Sequence, residues 1–445
     1  MKSPKINIAI LTIFTAILLS TIRPIAATDF LRSNRLQPLR THIKLEDLPR
    51  PFETTSASKS PYVIRPPRDA VFNVPLGRQS YCFTVNVFAK GLVGPRWLAL
   101  TPTGDVLVTE TPENRITLLR DADGDGVAEF SARFATKSAN DLNIPFGMAF
   151  APDESRRWGE YTFFVGNTNE VRRYDGYTRG AENITGRGRR IAKLPGYGYN
   201  QHWTRNVVVS PFQTKIYVSV GSKTNVAEEQ APRASVISMN LDGSQREQVA
   251  SGLRNPVGLD FHPQTYDLYT TVNERDGLGD DLVPDYFTRI QRRQFFGWPY
   301  TYLSPKFKDP RMVDSKGKVK RPDLANRTRT PDVLFQAHSA ALGLKFYAGY
   351  SFPPEYRRGA FVAFRGSWNR HSGTGYKIVF VPFSRGGRPL GYYEDFFTGF
   401  LVDPSGPTTW GRPVGLLILR DGSLLVTEEA NGYIYRIQYN STLAV

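Results

Sequence analysis

The sequence has little cysteine and lacks several catalytic signatures. Cys82 is the only cysteine among 445 residues, so no disulfide can form within the chain and core packing has to stabilise the fold. No glycine-rich dinucleotide loop follows a strand, and there is no Walker sequence, no Gly-x-Ser-x-Gly motif and no His/Cys group with zinc spacing. These absences argue against nicotinamide, ATP and serine-hydrolase chemistry.

Long apolar stretches are missing outside the first thirty residues. There, Lys2 and Lys5 precede an apolar run at residues 6–19, and small residues end at Ala27. The run is shorter than a membrane span usually is, and the pattern is typical of a secretory signal peptide over residues 1–27, with an uncleaved anchor as the alternative. We therefore expect a secreted protein, extracellular or periplasmic, without a transmembrane segment.

The charge is strongly one-sided, with a formal net charge of +16 at pH 7. A basic chain often binds nucleic acid, but an export signal argues against such a partner, and we predict none. The basic residues are spread out except between residues 306 and 329, which we interpret as a solvated surface insertion. The excess positive charge favours anionic ligands through electrostatic steering.

One strand–turn–strand pattern recurs along the chain. Its six copies begin near Trp97, Phe146, Arg205, Pro256, Ala341 and Pro413. A β-repeat of this size predicts an all-β fold, a six-bladed β-propeller over residues 80–440. One strand near residue 80 and three at the other end would complete a blade, closing the ring between N-terminal and C-terminal strands. Residues 28–79, rich in Pro, Arg and Ser, predict an extended or partly disordered N-terminal arm.

Polar residues flank the two strands of each copy. In a propeller, residues before the first strand and after the second meet on one face. Before the first strands stand Arg96, Asn143, His202, Arg205, Arg254, Asn255, His338 and Arg412, and after the second strands stand Glu110, Asn167, Lys223, Glu274, Trp368, Asn369 and Glu428. Several arginines predict a ligand with more than one carboxylate or phosphate, and histidine supplies a base.

Two acidic stretches are candidate calcium loops. Asp121, Asp123 and Asp125 alternate with small residues, without the Glu or the flanking helices of an EF-hand, so a calcium site and a plain polar turn both remain open. The second stretch, residues 273–281, combines glycines with carboxylates and leaves the fourth copy towards the predicted funnel. Oxygen ligands of this kind suit a hard cation, with a plain loop as the alternative.

Nine phrases in order resemble one known family. They are LLRDADGDG at 118–126, HWTR at 202–205, GLRNPVGL at 252–259, TVNERDGLGDDLVPD at 271–285, FGWP at 296–299, AHSAALGL at 337–344, FRGSWNR at 364–370, TGYK at 374–377 and WGRPVG at 410–415. Together they resemble the soluble quinoprotein glucose/sorbosone dehydrogenase family, in its L-sorbosone dehydrogenase-like branch.

This resemblance implies a six-bladed propeller that binds pyrroloquinoline quinone (PQQ) with Ca²⁺ and oxidises an aldose or a sorbosone-like aldehyde sugar. His202 corresponds to the family's general base, and an external electron acceptor is implied. Main-chain oxygens near Asp276 and Gly277 would hold the cofactor's Ca²⁺. The residues predicted to bind the cofactor are Asn143, Arg205, Lys223, Arg254, Asn255, Trp368, Asn369 and Arg412.

The sequence departs from the family at a few positions and leaves two other functions open. Lys223 stands where a small or amide residue is expected, and His338 is either a second base or a residue lining the channel. A calcium-dependent lactonase or esterase would need carboxylates converging on a central metal. A non-enzymatic recognition propeller would not need His202 together with the arginines.

Overall fold

The computed structural model describes residues 31–77, 81–152, 159–196, 198–199 and 201–441. The predicted signal peptide, residues 1–27, lies outside this range. The predicted all-β class is confirmed, since strands dominate the described residues and the helices are short. The α-helices are Lys137–Asn140 and Pro322–Ala325, and the 3₁₀ helices are Leu45–Asp47, Thr111–Glu113 and Pro354–Arg358. Within this part of the chain, no helix has the length and apolar character needed to cross a membrane.

Six sheets of four or five strands build most of the domain, numbered here in chain order. Sheet one contains Pro95–Leu100, Val106–Glu110, Arg115–Arg120 and Phe130–Thr136. Sheet two contains Met148–Pro152, Glu160–Asn167, Glu170–Thr178 and Arg189–Lys193. Sheet three contains Val207–Val209, Lys215–Val220, Ser235–Asn240, Glu247–Ser251 and the parallel edge strand Gln294–Phe295.

The second half of the domain repeats this plan. Sheet four contains Asn255–Phe261, Leu268–Asn273, Tyr286–Ile290 and Val333–Leu334. Sheet five contains Ala341–Phe346, Gly359–Phe364, Lys377–Pro382, Tyr393–Phe397 and Arg40–Thr41. Sheet six contains Pro413–Ile418, Leu424–Glu428, Tyr433–Ser441 and Tyr81–Ala89. The two ends of the domain therefore meet in sheet six, where Tyr81–Ala89 pairs antiparallel with Tyr433–Ser441.

The first strands of the six sheets lie next to one another. Each contacts the first strand of the following sheet, and that of sheet six contacts that of sheet one. Glycines permit this approach, because a side-chain carbon at Gly343 would overlap the carbonyl oxygen of Val414, and one at Gly415 would overlap that of Arg96. One apolar side chain from each copy of the repeat joins a shared cluster, formed by Trp97, Phe146, Trp203, Val257, Leu342 and Val414.

The arm lies against the sheets from residue 31 to residue 77. Beyond the Arg40–Thr41 strand, it contributes Ser33–Leu36, which pairs in parallel with Phe72–Pro75, and Tyr62–Val63, which pairs with Thr408–Thr409 beside Leu401–Asp403. Phe72 is 1% exposed and packs against aromatic rings of sheets five and six and the segment between them, including Phe397 and Tyr435. The arm is therefore part of the folded domain.

Candidate functional site

A polar cavity opens where several first strands begin and second strands end. Its volume is about 390 Å³. The polar groups of its wall come mostly from the segments flanking sheets one, three, four and five: Arg96, Gln201, His202, Thr204, Arg254, Asn255, Asn273, Glu274, Asp276, Asp285, His338, Arg365, Trp368 and Asn369. The apolar cluster closes one side, since Trp203, Val257 and Leu342 also line the cavity.

His202 has one ring nitrogen engaged and the other available. Its Nδ1 lies 3.1 Å from the carbonyl oxygen of Ser222 and 3.0 Å from the Oγ of the same residue. A carbonyl oxygen only accepts, so Nδ1 carries the proton and the neutral ring keeps a lone pair on Nε2. Burial, followed by the nearby charge of Arg254, lowers the pKa of His202 to about 3. The ring is therefore neutral at physiological pH.

Arg254 is buried in the cavity wall and saturated with partners. Its guanidinium donates to the carboxylate of Asp276 at 3.0 Å, to Oδ1 of Asn225 at 3.0 Å and to the carbonyl of Glu274 at 2.6 Å. Burial raises the pKa of Asp276, but the charge of Arg254 and the nearby His338 outweigh it and lower the pKa to about 2. The pair therefore holds one positive and one negative charge beside His202.

Next to this pair, His338 and Asn369 form a second polar contact. Nε2 of His338 donates to the carbonyl of Gly279 at 3.0 Å, and Nδ2 of Asn369 lies 3.0 Å from Nδ1 of His338. The same Asn369 amide donates to Asp276 at 2.6 Å. Both ring nitrogens of His338 are thus engaged within the protein. That makes it a weaker candidate base than His202.

A cluster of three arginines, Arg96, Arg365 and Arg412, surrounds one carboxylate. Arg96 and Arg365 both form ion pairs with Glu429. Burial raises the pKa of Glu429, but the charges of Arg365, Arg96 and Arg412 outweigh it and lower the pKa to about 2. Three guanidiniums against one carboxylate leave an excess of positive charge at this side of the cavity. Such a cluster suits a ligand with carboxylate groups.

Two carboxyl groups in the cavity wall are buried and have no cationic hydrogen-bond donor among the described residues. Burial raises the pKa of Glu274 to about 7 and the pKa of Asp285 to about 6. Asp285 accepts hydrogen bonds from the backbone N–H groups of Glu274 and Ala340, at 2.9 and 2.8 Å. Among the described residues, Oε1 of Glu274 has no hydrogen-bond partner.

The structure brings six predicted site residues to the cavity wall: His202, Arg254, Asn255, Asp276, Trp368 and Asn369. It places other predicted residues elsewhere. Arg205 is fully buried, and its guanidinium donates to the carbonyls of His202, Thr204 and Pro195 at 2.7–2.8 Å. This arginine therefore supports the His202 segment and offers no donor fork to the cavity.

Three further predicted cofactor-binding residues lie outside the cavity wall. Lys223 is exposed, and its backbone N–H donates to Glu229. Asn143 is half-buried, and its backbone N–H donates to Oδ1 of Asn167 at 3.0 Å. Arg412 donates to the carbonyl of Gly366 at 3.0 Å, and burial followed by the charge of Arg365 lowers its pKa to about 10. Of these three, only Arg412 belongs to the arginine cluster.

The loop that carries the predicted calcium ligands Asp276 and Gly277 already uses one of their carbonyls. The carbonyl oxygen of Asp276 already accepts from Nδ2 of Asn225 at 2.9 Å and from the guanidinium of Arg275 at 2.7 and 3.1 Å. Two later carbonyls of the loop are also used: Leu278 accepts from Phe52, and Gly279 accepts from His338. The guanidinium of Arg275 therefore competes with a cation for the Asp276 carbonyl, and calcium at Asp276 and Gly277 stays a prediction.

The predicted calcium loop at Asp121, Asp123 and Asp125 brings its carboxylates close together. One ligand oxygen from each of Asp121, Asp123, Asp125 and Glu129 lies within 4.8 Å of the others. In the described part of the chain, this is the one group of His, Cys, Asp or Glu side chains close enough to hold a metal ion. The loop folds through its own backbone, since Gly124 and Gly126 donate to Asp121 at 2.7 and 2.9 Å.

Several cavity residues were missed by sequence reasoning. Arg365 directly follows the strand Gly359–Phe364, and its place at a strand end was the available signal. Gln201 lies directly before the HWTR phrase, and the guanidinium of Arg233 donates to its side-chain oxygen. Asn225 bridges Arg254 and the backbone of Asp276, but it lies in a loop whose sequence carries no motif.

Comparison with known proteins places the chain in a family. It belongs to the TrAA12-like family, whose model matches residues 79–284 and 299–440. A PQQ-dependent pyranose dehydrogenase of Coprinopsis cinerea is 26% identical over 421 residues, covering 80% of this chain and 54% of that protein. An uncharacterised protein of Borreliella burgdorferi is 36% identical over 251 residues, 56% of this chain and 64% of its own length. The chain thus spans 54–64% of the length of these relatives.

Solved structures share the fold. The PQQ domain of the Coprinopsis cinerea pyranose dehydrogenase aligns with a TM-score of 0.66 at 22% identity, covering 85% of this chain and 99% of that domain. A Trichoderma reesei protein of carbohydrate-active enzyme family AA12 aligns with a TM-score of 0.65 at 20% identity, covering 84% and 98%. With the family match, these neighbours confirm the predicted resemblance to quinoprotein sugar dehydrogenases.

Proposed function

We propose that this protein is a secreted quinoprotein oxidoreductase that oxidises an aldose or a sorbosone-like aldehyde sugar and passes the electrons to an external acceptor. The observation that carries the proposal is the joint presence, in one cavity, of a neutral histidine and several guanidinium groups. Family membership supports the same class of activity.

We infer that the six sheets are the blades of a propeller and that the cavity is its central funnel. The cyclic contacts of the first strands support this inference, because a radial arrangement brings each first strand beside two others. The shared apolar cluster supports it too, since equivalent positions of a repeat meet only near an axis. Pairing of Tyr81–Ala89 with Tyr433–Ser441 would close the ring.

The residues of the cavity fit PQQ, which carries three carboxylates and an ortho-quinone. Nε of Arg96 and Oδ1 of Asn255 are buried and have no hydrogen-bond partner among the described residues. Because an unpaired buried polar atom is costly, these atoms point to a polar ligand. Arg96, Arg365 and Asn255 would hold the cofactor, and Arg254 and Arg412 would contribute charge. When bound, PQQ supplies the quinone that accepts hydride from the sugar.

His202 is the proposed general base. The hydrogen bond from its Nδ1 to Ser222 fixes the tautomer, so Nε2 is free to accept the proton of a substrate hydroxyl. The low pKa keeps the ring neutral, which a base requires before the reaction. Arg205 supports this residue from behind by donating to the His202 carbonyl at 2.8 Å.

Calcium is proposed at the Asp121 loop, as a structural ion. Four carboxylates within 4.8 Å of one another supply the oxygen-rich, negatively charged surroundings that Ca²⁺ prefers. The alternative enzyme class, a calcium-dependent lactonase or esterase, is disfavoured. It needs carboxylates that converge on a metal in the funnel, whereas the one group of carboxylates close enough to hold a metal among the described residues is the Asp121 loop, which does not line the cavity.

The proposal is tested by reconstitution of the full chain with PQQ. We expect a change in cofactor absorbance on titration, and dye reduction with a panel of aldoses and aldehydes. His202→Ala should remove most turnover while PQQ remains bound, and His42→Ala, outside the cavity, should not alter turnover. Absence of both binding and dye reduction would favour a non-enzymatic recognition propeller.

A further inference from the structure

A short segment of the N-terminal arm, residues 52–59, contacts two loops that line the cavity. We call it the strap. We propose that the strap positions these loops, and that Thr54 and Ser56 are positioning residues for the cavity although neither lines it. The consequence for cofactor binding rests on the proposed function, whereas the ordering of the loops does not.

The strap makes three consecutive hydrogen bonds to the loop at residues 276–280. The backbone N–H of Phe52 donates to the carbonyl of Leu278 at 2.8 Å. Oγ of Ser56 accepts from the N–H of Gly279 at 3.0 Å, and Oγ1 of Thr54 accepts from the N–H of Asp280 at 2.9 Å. The strap therefore binds three successive residues of the loop, 278–280, although the two segments are more than 220 residues apart in sequence.

The backbone conformation of Gly279 and its lack of a side chain allow this contact. Its φ of +124° is unfavourable for a residue with a side chain, and a carbon atom added there would lie 2.6 Å from Oγ1 of Thr54. The absence of a side chain at Gly279 thus permits the approach of the strap. The loop and the arm match each other in both hydrogen bonding and shape.

The strap also holds the loop at residues 367–371. The backbone N–H of Lys59 donates to the carbonyl of Trp368 at 2.7 Å, and its ammonium group donates to the carbonyl of His371 at 3.1 Å. The two loops are tied to each other as well, since the N–H of His371 donates to the carboxylate of Asp280 at 3.0 Å. One arm segment therefore fastens two loops that are already linked.

Both loops present groups to the cavity. Asp276 pairs with Arg254 and accepts from Asn369, and the carbonyl of Gly279 accepts from Nε2 of His338. These contacts join the two loops at the cavity wall. A shift of the first loop would therefore disturb Arg254, His338 and Asn369 together. The strap acts on the cavity through these loops.

The variant that isolates this role is Thr54→Ala combined with Ser56→Ala. Both residues are exposed, so their truncation leaves no core cavity and the chain is expected to fold. Thr54→Ser and Ser56→Thr keep the hydroxyl groups and should restore the wild-type behaviour. Asn73→Ala is the matched control, because Asn73 also belongs to the arm and donates to Thr398, away from both loops.

The first measurement is amide hydrogen exchange of the full chain without cofactor. Each hydrogen bond of ordinary strength is worth about a 5-fold change in a local opening equilibrium. We expect exchange at Gly279 and Asp280 to accelerate about 5- to 30-fold in the double variant, and we expect faster exchange at His371, which neither hydroxyl touches. Acceleration confined to residues 279–280 would overturn the proposal.

The second measurement is titration with PQQ, followed by cofactor absorbance. The double variant should bind about 5- to 30-fold more weakly than wild type, with the serine and threonine variants restored. Unchanged affinity in a wild type that does bind PQQ would overturn the positioning role. If the wild type binds no PQQ, the proposed function fails, and the exchange at His371 still decides whether the strap orders the second loop.

Discussion

Arg254 and Asp276 form a 3.0 Å ion pair in the wall of the cavity, and the charges of both residues affect the pKa of His202. Burial, followed by the charge of Arg254, lowers the pKa of His202, while the charge of Asp276 acts in the opposite direction. Both partners also contact Asn225, since Nε of Arg254 donates to its carbonyl at 3.2 Å and the backbone N–H of Asp276 donates to its Oδ1 at 2.9 Å. The ion pair therefore affects the charge around His202 and also holds together the segments that carry Arg254, Asp276 and Asn225.

Replacing Arg254 by Met should destabilise the fold, because Asp276 would be left in the wall without its cation. We expect the free energy of unfolding to fall by about 3 kcal/mol. Urea unfolding followed by circular dichroism measures this loss. The double variant Arg254→Met with Asp276→Asn removes both charges and should recover part of it, so simple additivity of the two single losses would contradict the prediction.

The pH dependence of stability should report His202. Its pKa is about 3 in the fold and about 6.5 in an unfolded chain, so the unfolded state binds more protons between these values. The stability that the neutral His202 ring contributes to the fold is present above pH 6.5 and is lost as the pH falls towards 3. Unfolding of His202→Gln between pH 4 and 7 should show a shallower decrease than wild type. Identical slopes would mean that the histidine titrates normally.

The same pKa predicts the acidic side of the reaction profile. A base with a pKa of about 3 remains unprotonated at pH 5, so kcat/KM for the sugar should not fall between pH 7 and 5 because of His202. Arg254→Lys keeps the charge and should preserve this profile, although its single ammonium group cannot make all the Arg254 hydrogen bonds. A wild-type profile that falls with an apparent pKa of 6–7 would assign the loss to another group.

Neutralising Glu429 should leave the arginine cluster uncompensated. Glu429→Gln is expected to lower the melting temperature, because Arg96 and Arg365 lose their common partner. A tricarboxylate such as citrate should then stabilise the variant more than it stabilises wild type, since it supplies the missing negative charge. Thermal shift against citrate concentration measures this difference. Glu394→Gln, which breaks the more exposed pair with Arg40, is the control.

Calcium should act at the Asp121 loop. Asp123→Asn with Asp125→Asn halves the charge of the four-carboxylate group, so a Ca²⁺-dependent rise in melting temperature should be reduced or lost. Asp276→Asn should keep this rise. Calorimetric titration of the chain without PQQ provides a direct measure, and equal Ca²⁺ binding in wild type and the Asp-loop variant would show that the loop is only a polar turn.

The sequence by itself determined the repeat and the chemistry at its ends. Alternating strands, tight turns and one apolar residue per copy specify an all-β fold, because these patterns act locally along the chain. The histidines and arginines at the strand ends could be recognised in the sequence because their positions follow from the same local pattern. Their positions beside the repeat were enough to single out His202, Arg254 and Asn255, and these three residues do line one cavity.

Only the tertiary structure decided which of these polar groups face the cavity and which are used by the backbone. Arg205 and Arg254 look equivalent in sequence, yet Arg205 donates to three backbone carbonyls and does not line the cavity, whereas Arg254 lies in the cavity wall. The loop at Asp276 looks like a cation site in the sequence, but the guanidinium of Arg275 donates a hydrogen bond to the carbonyl oxygen of Asp276. Such outcomes depend on contacts between distant segments, as with Thr54 and Asp280, and no local pattern encodes them.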